Sequence, residues 1–240
     1  MSPFKASFEE FKKLKNESWK VKLEHILTYY WIPILVAAAV LIFLISQAIH
    51  FATMKETVLS GRCINAVFDA SASQRFLQDV SAELDIDESK SEIKLSHSLL
   101  SSEDLYNSVV THQLIAAEIA ANSLDFLIGE TQILLEYAYE ETFADLRTIL
   151  SPEQASSLSP YFLYLDLALV NNTANQASQF PDPTAPEAMA NPIPFALQIP
   201  EGSAFDQVYY NHTEKVMVIA FLCNAPNPDL AAQLAEYLCK

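Results

Sequence analysis

Five polar side chains, Asp69, Ser71, Ser96, His97 and Glu130, stand at or just past the ends of three apolar, strand-like runs. Carboxylates, hydroxyls and an imidazole at such places can hold a small polar solute by hydrogen bonds, because doubly wound sheets bind ligands at the C-terminal ends of their parallel strands. Helices opening after Ser71, Ser101 and Thr131 would aim free backbone N–H groups at the same rim. Ser71 and Ser101 also have a plainer use as helix caps.

Other chemistries find no matching set. His97, His112 and His212 form no HxxxH, HExxH or HxH arrangement, so a zinc site with three or four converging ligands is not expected. His112 falls on the apolar side of a helical pattern and reads as a core or boundary residue. Glu140-Glu141 and the Asp85-Asp87-Glu88 group could serve as paired acids only across a cleft, and solvated surface is the simpler reading. Asp85 to Glu92 lacks the glycine and the spacing of an EF-hand loop and reads as a polar loop. There is no GxSxG elbow. Three glycines (Gly61, Gly129, Gly202) cannot make a Walker A loop or a GxGxxG cradle, which excludes that route to nucleotides. Tyr161, Phe162, Tyr164, Tyr209 and Tyr210 could stack on a sugar, but core packing also explains them. No cofactor, no metal and no catalytic set is expected. Cys63, Cys223 and Cys239 fit no zinc pattern, and Cys63 and Cys223 read either as buried free thiols or as a cross-strand disulfide. Asn171-Asn172-Thr173 and Asn211-His212-Thr213 match the glycosylation triplet.

The elements that would position these residues alternate. Val58 to Phe68 reads as a first strand. Ser71 to Leu84 places Phe76, Leu77, Val80 and Leu84 at helical spacing, with Ser71 or Ser73 as cap. Ile93 to Leu95 suggests a second strand. Ser101-Ser102-Glu103-Asp104 caps a long helix to about Ala121, with Leu105, Val109, His112, Ala116 and Ile119 on one face. Asn122 supplies a left-handed stop, and Leu124 to Ile128 is a third strand. Such a β-α-β-α-β run implies parallel strands with right-handed crossovers. Glu130 to Glu140 then reads as a helix, and Ser151-Pro152 opens a short one. Tyr161 to Leu169, Phe195 to Ile199 and Val216 to Leu222 read as strands. Residues 171 to 191 read as a long exposed loop, and Asn227-Pro228-Asp229 starts a last helix with Leu230, Leu234, Tyr237 and Leu238.

One segment differs in kind from all of these. Trp31 to Ile49 runs nineteen residues without a charge, roughly 28 Å of helix against a hydrocarbon core of about 30 Å. Ser46-Gln47-Ala48 offers a small-x-small cleavage pattern, but the apolar run and its elaborate flank suit an uncleaved anchor better than a signal peptide. Six lysines and four glutamates before the span give +2, which leaves −18 on the rest of a chain whose total is −16. The lysine excess predicts a cytoplasmic N-terminus and an extracellular C-terminal domain, with Tyr29, Tyr30 and Trp31 at the inner interface. The acidic balance argues against nucleic acid as a partner. Phe4, Phe8, Phe11 and Leu14 recur at helical spacing after a Ser7 capping box. That arm reads as an amphipathic helix on the inner leaflet or as a solvated extension of the span. The expected organisation is thus 1–28 cytoplasmic arm, 29–51 transmembrane helix and 55–240 extracytoplasmic domain, with the lipid bilayer as a partner.

Three stretches carry a family resemblance. HQLIAAEIAANSLDFLIGE (112–130) resembles a helix leading into a buried strand in extracellular solute-binding proteins of the type 2 periplasmic fold. FADLRTILSPEQ (143–154) is similar to the segment that follows it there, and KVMVIAFLCNAPNPDLAAQLAEYL (215–238) to their returning strand and helix. With its lysine-rich arm and single span, the chain looks like a membrane-anchored protein of Gram-positive bacteria. The resemblance implies a three-layer α/β domain with a mixed sheet, like one lobe of such a protein. It further implies a non-enzymatic binding or accessory module, associated with a membrane protein such as a transporter permease. A structural domain that docks another membrane protein and takes no small ligand is the alternative.

Overall fold

The computed structural model describes residues 18–20, 23, 28, 31–100, 105–170, 180–208 and 216–239. The expected arm helix, Tyr29 and Tyr30, the 101–104 cap, both glycosylation triplets, His212, Tyr209 and Tyr210 lie outside them. The chain forms two compact units, Met1–Met54 and Lys55–Lys240.

The first unit holds helix α1, Trp31–Thr53. Its Trp31–Phe51 stretch is long and apolar enough to cross a membrane, and none of it is buried. Leu35, Leu41, Ile42, Phe43 and Leu44 all stand more than half exposed, an apolar surface that water does not tolerate. Pro33 sits near the start, where its missing N–H costs nothing.

The second unit is α/β. Its elements are β1 (Glu56–Ile64), α2 (Ala70–Glu83), β2 (Ser91–Ser98), α3 (Leu105–Ala120), β3 (Phe126–Glu130) and α4 (Thr131–Ala138). There follow α5 (Leu146–Ile149), α6 (Pro152–Leu158), β4 (Phe162–Asp166), β5 (Pro192–Gln198), β6 (Met217–Phe221) and α7 (Pro228–Leu238). The sheet order is β2-β1-β3-β6-β5-β4. β1 pairs in parallel with β2 and β3, while β6 runs antiparallel to β3 and β5, and β5 to β4. The sheet is therefore mixed, and its parallel half comes from the β-α-β-α-β start.

Side chains alternate across the strands and feed two cores. Leu59, Cys63, Phe126, Ile219 and Phe221 pack with Phe76 and Val80 of α2, Leu146 of α5, Leu158 of α6 and Leu234 of α7. Ile64, Leu127, Val218 and Ala220 pack on the other face with Ile115 of α3 and Leu134 of α4. Helices cover both faces. Gly61 is required by this packing, because a Cβ there would overlap the ring of Phe126 on the neighbouring strand.

Local chemistry sets the boundaries. β1 ends earlier than expected, since Asn65 turns to φ 60°. α2 is capped by Asp69 and not by Ser71 or Ser73: the Asp69 carboxylate accepts from Ala72 N at 2.6 Å. A carboxylate at a helix N-terminus also gains from the dipole, which a hydroxyl does not. β2 and β3 are displaced from the expected bounds, running 91–98 and 126–130. α3 ends as expected at Asn122, φ 52°. Ser123 N donates to Glu118 O and Asn122 N to Ile119 O, both at 3.0 Å, the paired bonds of a Schellman stop. Ser151 and Gln154 close a capping box before Pro152.

Two expectations need correction. The inner face of α3 holds Ile115, fully buried, with His112 and Ile119 half-buried, whereas Val109 and Ala116 face outward. The segment after β4 is not all exposed loop: over 180–191 it packs Met189 inward and stacks Phe180 on Tyr139 with ring centroids 3.8 Å apart. Buried Asp166 holds this segment, accepting from Ala168 N (3.0 Å), Ala190 N (2.9 Å) and Asn191 N (2.9 Å). Burial pushes the Asp166 carboxyl up, but these three donors outweigh it and leave it below the usual carboxylate range.

A polar cleft at the start of the parallel strands

The residues first singled out do not converge. Asp69 is engaged as the α2 cap, and Ser71 Oγ donates to its carboxylate. His97 is exposed and packs against Phe68, centroids 5.0 Å apart. Ser96, on the opposite face of β2, donates to Gly61 O at 3.2 Å. Glu130 is buried at the N-cap position of α4, where its side chain does not cap the helix. His112 Nδ1 lies 2.7 Å from the Tyr137 hydroxyl, a satisfied boundary position. All three cysteines are free, Cys63 and Cys239 buried and Cys223 exposed. Burial alone drives the Cys239 thiol up to about 12, and the Cys63 thiol still higher, so neither ionises near neutral pH.

Of that set only Ser96 lines an open cleft of about 440 Å³ on the α3 face of the sheet. The register places Ser60 beside Lys94 and Arg62 beside Ser96, on strands about 4.8 Å apart. Residues two apart on a strand share a face, so these four make one patch. Glu118 of α3 and Asp125, just before β3, complete the walls.

Arg62 is 7% exposed and fully engaged on one side. Its Nε donates to Glu118 Oε2 at 2.8 Å, Nη2 to Oε1 at 2.5 Å, and Nη1 to Ser98 Oγ at 2.5 Å. The planar fork matches the carboxylate, which a lysine could not do. Asp125 is 3% exposed and ties three segments together. Its carboxylate accepts from Ser60 N at 2.7 Å and Asn227 N at 3.3 Å. Its own N–H donates to Ser60 O at 2.7 Å, and its carbonyl accepts from Leu222 N at 2.9 Å. Burial pushes this carboxyl above its usual range, and the two N–H bonds offset that only in part. Asn227, instead of capping α7, donates its amide to Val58 O at 2.8 Å. Asn224 donates to Ile119 O at 3.0 Å and to Asn122 Oδ1, which locks the end of α3 over the cleft.

Sequence reasoning passed over Arg62, Lys94, Glu118 and Asp125. A signal for two of them was present: Arg62 and Asp125 are charges inside apolar runs, and a charge in a buried strand demands a partner. Among the described residues no group of three His, Cys, Asp or Glu could hold a metal ion. Comparison of the chain with protein-family models, with curated proteins and with solved structures found no match.

Proposed function

We propose that this chain is a single-pass membrane protein, N-terminus in the cytoplasm, whose α/β domain lies outside the cell as a non-enzymatic binding or accessory module. The observation that carries the reading is the pairing of an exposed apolar helix with a separate α/β unit that bears a polar cleft. In this reading the domain is akin to one lobe of a type 2 solute-binding protein from a Gram-positive bacterium, and its partner is a transporter permease. Two of the resembling stretches support it: 112–130 spans the end of α3, its stop and β3, and 215–238 includes β6 and α7. The test is a thermal-shift screen of the full chain in detergent against sugars, peptides, amino acids, polyamines and small anions. A bound solute raises the melting temperature in proportion to the logarithm of its concentration above Kd. A flat response to every class contradicts the binding reading.

One observation favours docking without a solute. The outer side of α3 exposes Val109 (54%), Val110 (45%) and Leu114 (46%), an apolar stripe suited to a protein partner. Crosslinking in membranes, followed by purification in detergent, would then recover the same second membrane protein from each preparation.

A further inference from the structure

The two carboxylates that line the cleft are both engaged. Both Glu118 oxygens are taken by Arg62, both Asp125 oxygens by backbone N–H groups, and the Asn122 carbonyl by Asn224. Its donors are not used up. A guanidinium has five N–H donors, and Arg62 spends three of them on Glu118 and Ser98. Lys94 spends one on Glu92 at 2.9 Å, with its side chain 60% exposed. Asn122 has its amide N–H₂ without a partner among the described residues. Unspent donors thus remain on two cations, Lys94 and the desolvated Arg62, beside one buried acceptor, Asn224 Oδ1, that has no partner among the described residues.

The geometry points to an oxyanion site: the cleft binds a carboxylate or phosphate group, with Lys94 and the free N–H edge of Arg62 as its ligands. Glu118 and Ser98 act as positioning residues, fixing the guanidinium plane through three of its N–H donors. Charge-assisted bonds of this kind are the strong ones, and an Arg fork matches the two oxygens of the group. The inference rests on the binding-module reading and names the ligand class for it. The group can come from a soluble anion or from a phospholipid headgroup, and the chemistry is shared.

The test is calorimetric titration of the full chain in phosphatidylcholine nanodiscs with inorganic phosphate and with citrate. Saturable binding is expected, weakened at least about tenfold by Lys94→Glu, which reverses the charge at an exposed position. Arg75→Glu, on α2 at the other face, should leave it unchanged. Arg62→Ala would orphan Glu118 and endanger the fold, so Lys94→Glu carries the test. Repeating the titration in phosphatidylglycerol nanodiscs separates the sources: competition by the lipid assigns the site to a headgroup, and its absence to a soluble anion, and either supports the site. No saturable binding of either anion, or equal binding by Lys94→Glu, overturns it. Sugars and polyamines titrated alongside separate the two readings. A sugar that binds where the anions fail refutes the oxyanion site and leaves the binding module standing, whereas silence from every solute removes both.

Discussion

Asp125 is a carboxylate held out of water and bonded to the backbone of two other segments, which makes its loss costly. Asp125→Ala strips the acceptor from Ser60 N and Asn227 N. Each orphaned buried donor costs about 1–3 kcal/mol, so with two of them urea denaturation should show a loss of about 2–6 kcal/mol. Asp125 and Asp166 also shift in opposite directions, which gives opposite pH signs. The Asp166 carboxyl, held low, adds stability above the unfolded value of about 3.9, and this is lost as pH falls through its folded value. Asp125, held high, favours folding below about 3.9 and loses that contribution as pH rises through its folded value. In urea midpoints measured across the acid range, Asp166→Asn should flatten the loss below about pH 4. Asp125→Asn should instead remove a decline on the alkaline side of that point. Neither role was legible beforehand. Arg62 and Glu118 are 56 positions apart and Ser60 and Asp125 are 65 apart, and such pairs exist only once α3 has carried the chain across the sheet.

Elements were easier to read than the faces they present. The parallel half follows from alternating strand and helix patterns, and Asn122 and Ser151-Pro152 announced their turns because cap chemistry is local. The face of α3 was misjudged for a physical reason. Val109, Val110, Leu114, Ala116 and Ala117 make its outer side nearly as apolar as its inner one, so the 3.6-residue period has little contrast. Stability data separate the two faces. Ile115→Ala should cost about 2–5 kcal/mol, since a fully buried side chain leaves a cavity. Val109→Ala, with 54% exposure, should stay within about 0.5 kcal/mol. Equal costs would put the inner stripe back at Val109. The antiparallel half was legible strand by strand but not in order, because the insertion of β6 between β3 and β5 is a long-range choice.

At the scale of the whole molecule, α1 sets the account. Its 21-residue apolar stretch is long and apolar enough to cross a membrane and has no buried surface, and in the proposed reading the lysine-rich flank lies on the cytoplasmic side. The protein carries its own reporter for the side on which the α/β unit lies. Cys223 is exposed on the α/β unit, while Cys63 and Cys239 are buried. The decisive measurement is labelling of intact cells with a membrane-impermeant maleimide, compared with lysed cells and with Cys223→Ser. The account predicts full labelling of Cys223 before lysis and none in Cys223→Ser. Labelling that appears only after lysis would put the α/β domain in the cytosol and contradict it.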